Sequence, residues 1–292
     1  MEFIKDGTKF YKELANMQKF NKMQKFKEYL GRRFPFLLTI LSRVRRIFIY
    51  PQFDYETYWR KRAYSSSGQS RVLWENEEYN QLVRELQKDF IKKYIEKLSP
   101  GDHVLDIGCG IGVISRMIID LKSDVQIDAL DLPEMIEVAK KENPHPQINY
   151  IAGRAEEYYD PKKKYRFILS SGCFSSIRDV HKMEKAIDNC IRMLAPGGII
   201  LMIDPFHRWN YLARVKYSSR QIINFVHKRG CVLVENSGML FWPYRDLLAN
   251  SNIRGEKLRK LFFQGERLLG LLGRRFWSDY KVLAFKKFHE YE

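Results

Sequence analysis

The residues best suited to chemistry lie in Asp106-Ile-Gly-Cys-Gly-Ile-Gly112. A short apolar run, His103–Ile107, leads into them and reads as a strand; Gly112–Leu121 follows as a helix. Gly108, Gly110 and Gly112 let the chain turn sharply and leave the backbone bare for a ligand, with Cys109 between them. Dinucleotide-binding domains place pyrophosphate on turns of this kind. The acid just before the first glycine argues for another ligand, because a carboxylate repels a pyrophosphate and suits an ammonium group. A second acid, Asp131, ends the next strand 25 residues later, where it can accept both hydroxyls of a ribose. Two further elements follow, Gly153-Arg-Ala-Glu156 and Leu194-Ala-Pro-Gly-Gly198.

These residues need a frame that brings strand ends together. From residue 103 the chain alternates short apolar runs with helical periods. Strands are predicted at 103–107, 125–130, 148–152, 167–171 and 199–204. Helices are predicted between them at 112–121, 133–142 (with Pro133 near the start) and 180–194, the last closed by Ala195-Pro-Gly-Gly198. That alternation argues for a parallel sheet with helices on both faces. A helix at 218–229 ends at Gly230, and strand candidates at 231–234 and 280–285 stand on either side of a basic, Leu-rich helix at 256–272. Upstream, a helix from Glu78 to Leu98 carries Leu82, Leu86, Phe90, Tyr94 and Leu98 on one face.

The four elements, in this order, resemble class I S-adenosylmethionine (SAM)-dependent methyltransferases, over about residues 103–235 plus the final strand. The resemblance implies a Rossmann-like α/β fold with a seven-stranded, mostly parallel sheet whose last strand is inserted antiparallel. It implies SAM as cofactor, with Asp106, Gly108, Cys109, Gly110 and Gly112 at its methionine end and Asp131 on the ribose. Leu132 would meet the adenine, Ala155 and Glu156 its amino edge, and Ser171 would join them from the fourth strand. Arg154 and Arg166 stand where many relatives carry Asp. The segment Tyr55–Arg62 resembles a lead-in that closes over the cofactor in methylases of glycan, lipid or quinone biosynthesis, which makes Tyr58, Trp59 and Arg62 candidate covers beside plain aromatic packing. Were the acceptor a hydroxyl, a base would take its proton. His207, just past the fifth strand, is the candidate, with His181 second.

The expected organisation is a basic helical extension (1–50), a lead-in or cap (51–100), and a SAM-binding domain (101–292) with a helical insertion at about 241–279. The net charge of +16 is uneven, with +8 over residues 1–50, +5 over 241–292 and +3 between. Residues 34–50 form an apolar run broken by Arg43, Arg45 and Arg46, too short to span a bilayer and suited to its interface or to packing. Basic ends suit phosphates of lipid headgroups or nucleic acid. The expected protein is cytoplasmic and without structural metal, peripheral to a membrane surface. It would methylate a small-molecule, glycan or lipid-linked acceptor at oxygen. Ser170-Ser-Gly-Cys-Phe174 at the end of the fourth strand argues against a base methylase, because it lacks the Asn/Asp-Pro-Pro-aromatic sequence that resembles amino-group methylation of bases. RNA methylation through the basic ends is the alternative, and a non-catalytic SAM-binding subunit the third reading. The oligomeric state and the acceptor stay open.

Overall fold

The computed structural model describes residues 54–206 and 217–288. The lead-in comprises helix α1 (Tyr55–Ser65), a 3-10 turn (Gly68–Arg71) and helix α2 (Glu77–Ile95). Seven strands and further helices follow: β1 (His103–Ile107), α3 (Val113–Leu121), β2 (Gln126–Asp131), α4 (Pro133–Glu142), β3 (Ile148–Ala152), β4 (Tyr165–Ser171), α5 (Val180–Met193) and β5 (Leu194–Asp204). The chain continues through α6 (Ser219–His227), β6 (Cys231–Phe241), α7 (Trp242–Leu248), α8 (Gly255–Leu272), α9 (Arg274–Trp277) and β7 (Ser278–Lys287).

The strands lie in the order β3-β2-β1-β4-β5-β7-β6. Strands β1 to β5 are parallel, and β7 enters antiparallel to both β5 and β6, as the resemblance implied. Alternate residues face opposite layers. Val104, Ile127, Phe167 and Leu201 pack with α2, α3 and α8. Leu105, Ile107, Ile168 and Met202 pack with α5 and α6. Burial on both faces explains why these strands read as nearly continuous apolar runs.

Three readings shift. Strand β6 runs to Phe241 rather than Val234. It is an edge strand, so Glu235, Asn236 and Ser237 can stay in the ladder, and those polar residues hid its second half. The segment Ala195-Pro-Gly-Gly198 belongs to β5, because Leu194 already pairs with Tyr165 before a register shift sets Phe167 against Ile199. The buried residues of α2 are Tyr79, Asn80, Leu82, Val83, Gln87, Ile91 and Ile95, so Leu82 of the expected row is in the core whereas Leu86, Phe90 and Tyr94 pack at its margin. The basic extension 1–50 and His207 lie outside the described residues.

Candidate active site

Parallel strands end together, so the carboxyl edge of the sheet collects β1, β2, β4 and β5 at one place. Gly108 and Cys109 donate their backbone N–H groups to the Leu130 carbonyl of β2, at 2.8 and 3.0 Å. The glycine turn is thereby fixed to the neighbouring strand. Gly110 has φ +57°, a conformation L side chains rarely adopt. A Cβ on Gly110 would lie 2.6 Å from Val72 of the lead-in, and one on Gly108 would lie 2.4 Å from the Cys173 Cβ after β4. The turn is therefore flanked closely by two other segments, and glycine is required where they approach.

Asp131 holds this turn from the second strand. Its carboxylate accepts from Gly110 N–H at 2.6 Å and from Leu132 N–H at 2.7 Å. Burial raises its pKa to about 6 against the pull of those two donors. Asp106 is buried beneath the turn and accepts from the Ser115 hydroxyl at 2.6 Å, which ties it to the first turn of α3. Burial pushes its carboxyl to about 6 as well, opposed by Ser115 and by the Arg84 guanidinium. A pKa near 6 leaves both groups mostly ionised at neutral pH and sensitive to a cation placed beside them.

Sequence reasoning missed the cation of this site. Arg84 of α2 donates Nε–H to Gln69 at 3.0 Å and Nη1–H to Gln87 at 2.7 Å. Gln87 in turn donates to the Ser171 hydroxyl at 2.9 Å. This polar chain crosses from the lead-in to the end of β4. Burial lowers the Arg84 pKa to about 10, while Asp106, Tyr280 and Glu77 hold its charge. The available signal was Gln87, a polar residue on the buried four-residue row of α2. At the end of β5, buried Asp204 accepts from Ser170 Oγ and Ser175 N–H, both at 3.0 Å, and burial raises its pKa.

The remaining expectations fall in two groups. Leu132 precedes α4 beside Asp131, and Ala155 packs against the apolar layer under α5. Glu156 is buried, with Lys182 Nζ 3.8 Å from its carboxylate. Gly112, with φ +82°, is the N-cap of α3. His181 is exposed at the start of α5, 3.9 Å from Glu184, and is not joined to this cluster. Trp59 packs beside Ile111, Met135 and Val138, and Arg62 lies over the Tyr58 and Trp59 rings while donating to the Ser70 carbonyl at 2.8 Å. Arg62 and Tyr58 thus brace the lead-in, and Trp59 joins it to the glycine turn and α4. Arg154 also gains a role, binding Glu56 of α1 at 3.0 and 2.8 Å. Arg166 donates to the Pro196 carbonyl at 2.7 Å.

A protein-family profile described as "Methyltransferase domain" matches residues 104–198. The chain carries a class I, SAM-dependent methyltransferase domain. Among curated relatives, the malonyl-[acyl-carrier protein] O-methyltransferase 2 of Ilyobacter polytropus is 32% identical over 126 residues, covering 41% of this chain and 46% of that protein. The demethylmenaquinone methyltransferase of Leptospira interrogans is 30% identical over 141 residues, covering 44% and 53%. The chain spans about half the length of these two relatives. The N-methyltransferase NodS of Bradyrhizobium japonicum, solved with S-adenosylhomocysteine, superposes with a TM-score of 0.54 at 15% identity, over 80% of this chain and 99% of that one. That likeness is one of fold. The methyltransferase donor set here fits SAM: Asp131 keeps a further lone pair on each oxygen for ribose hydroxyls, Asp106 and Arg84 match an ammonium and a carboxylate, and the bare turn admits the chain between them.

Proposed function

We propose that this chain transfers a methyl group from SAM to a small-molecule, glycan or lipid-linked acceptor, at oxygen, as a cytoplasmic protein working at a membrane surface. The observation that carries the reading is Asp131 gripping the glycine turn through Gly110 while Asp106 and Arg84 lie under and beside it. Two relatives, a malonyl-[acyl-carrier protein] O-methyltransferase and a demethylmenaquinone methyltransferase, support an acceptor of that kind.

When bound, SAM would supply a methyl carbon on a sulfonium, open to in-line attack by the acceptor oxygen, with the neutral thioether S-adenosylhomocysteine as the leaving group. The chain's task is to align and to exclude water. Asp131 orients the ribose, and the glycine turn with Asp106 and Arg84 sets the amino-acid end. The Gln69–Arg84–Gln87–Ser171 chain closes the side toward the lead-in. In this reading His207, three residues past the end of β5, takes the acceptor proton. Tyr280 is unsuited to that task, because burial raises its phenol well above the usual range.

The test is incubation with methyl-labelled SAM and separated membrane, lipid-linked glycan and RNA fractions. Label in the first two supports the reading; label confined to RNA replaces it with base or ribose methylation, and no label in any fraction leaves a SAM-binding subunit. His207→Ala and His207→Gln are then expected to lower kcat with little change in SAM affinity.

A further inference from the structure

The insertion ends in an apolar corner that the site does not use. Leu271 is 79% exposed, Leu272 51%, Phe276 72% and Trp277 47%. Elsewhere among the described residues no more than two large exposed apolar side chains fall so close in sequence. The corner is held in place from beneath. Gly273 ends α8 with φ +101°, donating to the Leu269 carbonyl at 3.0 Å. Arg274 donates to Glu266 at 2.8 Å and to the Gly238 carbonyl at 3.2 Å. Buried Lys281 donates to the Arg275 carbonyl at 2.6 Å and to the Ser278 hydroxyl at 3.1 Å. The apolar side chains therefore project from a fastened turn.

Charge and position identify what such a corner meets. From Lys257 to Trp277 the one acid is Glu266, which is buried and bound to Arg274. Arg267 and Arg275 are exposed within this corner, and Lys257 and Lys260 are exposed nearer the start of α8. Lys281 pairs with Asp204, the last residue of β5, so Trp277 and Phe276 lie past the carboxyl edge of the sheet. The candidate active site opens at the same edge. We infer that the 267–277 corner docks on an anionic lipid surface, with Leu271, Leu272, Phe276 and Trp277 in the acyl boundary and Arg267 and Arg275 at headgroup level. Aromatic and basic side chains together suit that interface. A second copy of the chain is the poorer occupant, since a self-complementary contact would set these cations against their own copies in a chain of net charge +16.

The inference deepens the membrane element of the proposed function and names the surface. Vesicle binding needs no turnover, so it is decided separately from methyl transfer. The full chain is sedimented with vesicles of phosphatidylcholine alone or mixed with phosphatidylglycerol. The wild type is expected to favour the anionic vesicles. Leu271→Glu with Phe276→Glu should lower partition by about tenfold or more, and Arg267→Glu with Arg275→Glu should remove the preference for phosphatidylglycerol. Brominated acyl chains should quench the wild type more than Trp277→Phe. A thermal shift on adding SAM, equal in all variants, reports that each is folded. Unchanged partition in the apolar variant overturns the inference and assigns binding to another surface. So does a variant that converts a dimer to a monomer with its partition intact.

Discussion

Two elements border the carboxyl edge, and they are fastened by different physics. Beside α4, α1 and the 3-10 turn are tied down by partly exposed polar contacts: Glu56 with Arg154, Arg60 with Glu134 at 2.8 Å, Tyr64 with Glu137 at 2.6 Å, and Arg71 with Glu142. On the opposite side, the insertion is set by buried groups. Arg245 binds Asp246 at 2.8 Å and Asp279 at 2.7 Å with about 8% of its side chain exposed, and Glu266 accepts from Leu240 N–H at 2.8 Å. Solvent-exposed pairs are individually weak and salt-sensitive, whereas a buried pair is costly to break. Beside the apolar seat of Trp59 and Ala63, α1 is thus held by the weaker kind of polar contact, and the insertion by the stronger kind. On the proposed function, that division would suit a cofactor exchanged on every cycle beside an acceptor wall, formed by the insertion, that stays in place.

The largest effect should come from the wall. Arg245→Ala leaves Asp279 and Asp246 buried without their cation and is expected to cost about 3–5 kcal/mol in urea unfolding. A loss no greater than that of a lead-in variant would erase the contrast. Next is Gly110→Ala, which adds a Cβ 2.6 Å from Val72 at a φ of +57°. It should weaken SAM binding roughly ten- to a hundredfold by calorimetry, since each factor of ten is about 1.4 kcal/mol, and should push the lead-in outward with the core intact.

The pH dependence comes third. Asp106 and Asp131 each titrate near 6 in the folded chain, above the usual 3.8. SAM needs the ionised forms, so its affinity should fall about tenfold per pH unit below 6 for each carboxylate engaged. The ligand-free fold should respond with the opposite sign. Between about pH 6 and 4 it holds protons that the unfolded chain has released, so these two groups add stability as the pH falls. Asp131→Asn should flatten both trends. The smallest effect is Glu56→Gln, expected to weaken SAM about two- to fivefold and to speed proteolysis within residues 55–75. High salt should reproduce this in the wild type and leave the insertion unmoved.

What was legible followed from the range of the signal. Asp106, the three glycines and Asp131 lie at the ends of two consecutive strands, so order and spacing were enough. Arg84 was hidden because its partners Gln69, Gln87 and Ser171 meet only in three dimensions. Arg154 read as a departure because Glu56, which explains it, is 98 residues away. The second half of β6 was hidden by polar residues that only an edge strand tolerates.

Several contacts join the two unlike borders, and Asn76 makes the most of them. Asn76 is almost wholly buried and caps α2, while its side-chain amide donates to the carbonyls of Leu248, Ser251 and Ile253 in the insertion, at 3.3, 3.0 and 3.0 Å. It pins the lead-in to the wall just behind the part that ion pairs hold. The arrangement is that of a door with its pivot in the masonry and its latch at the far end. On the proposed function, spent cofactor would leave by the latch side while the insertion, and the surface it is inferred to rest on, stays in place. Were both proposals to hold, successive methyl transfers would not require leaving the surface between them.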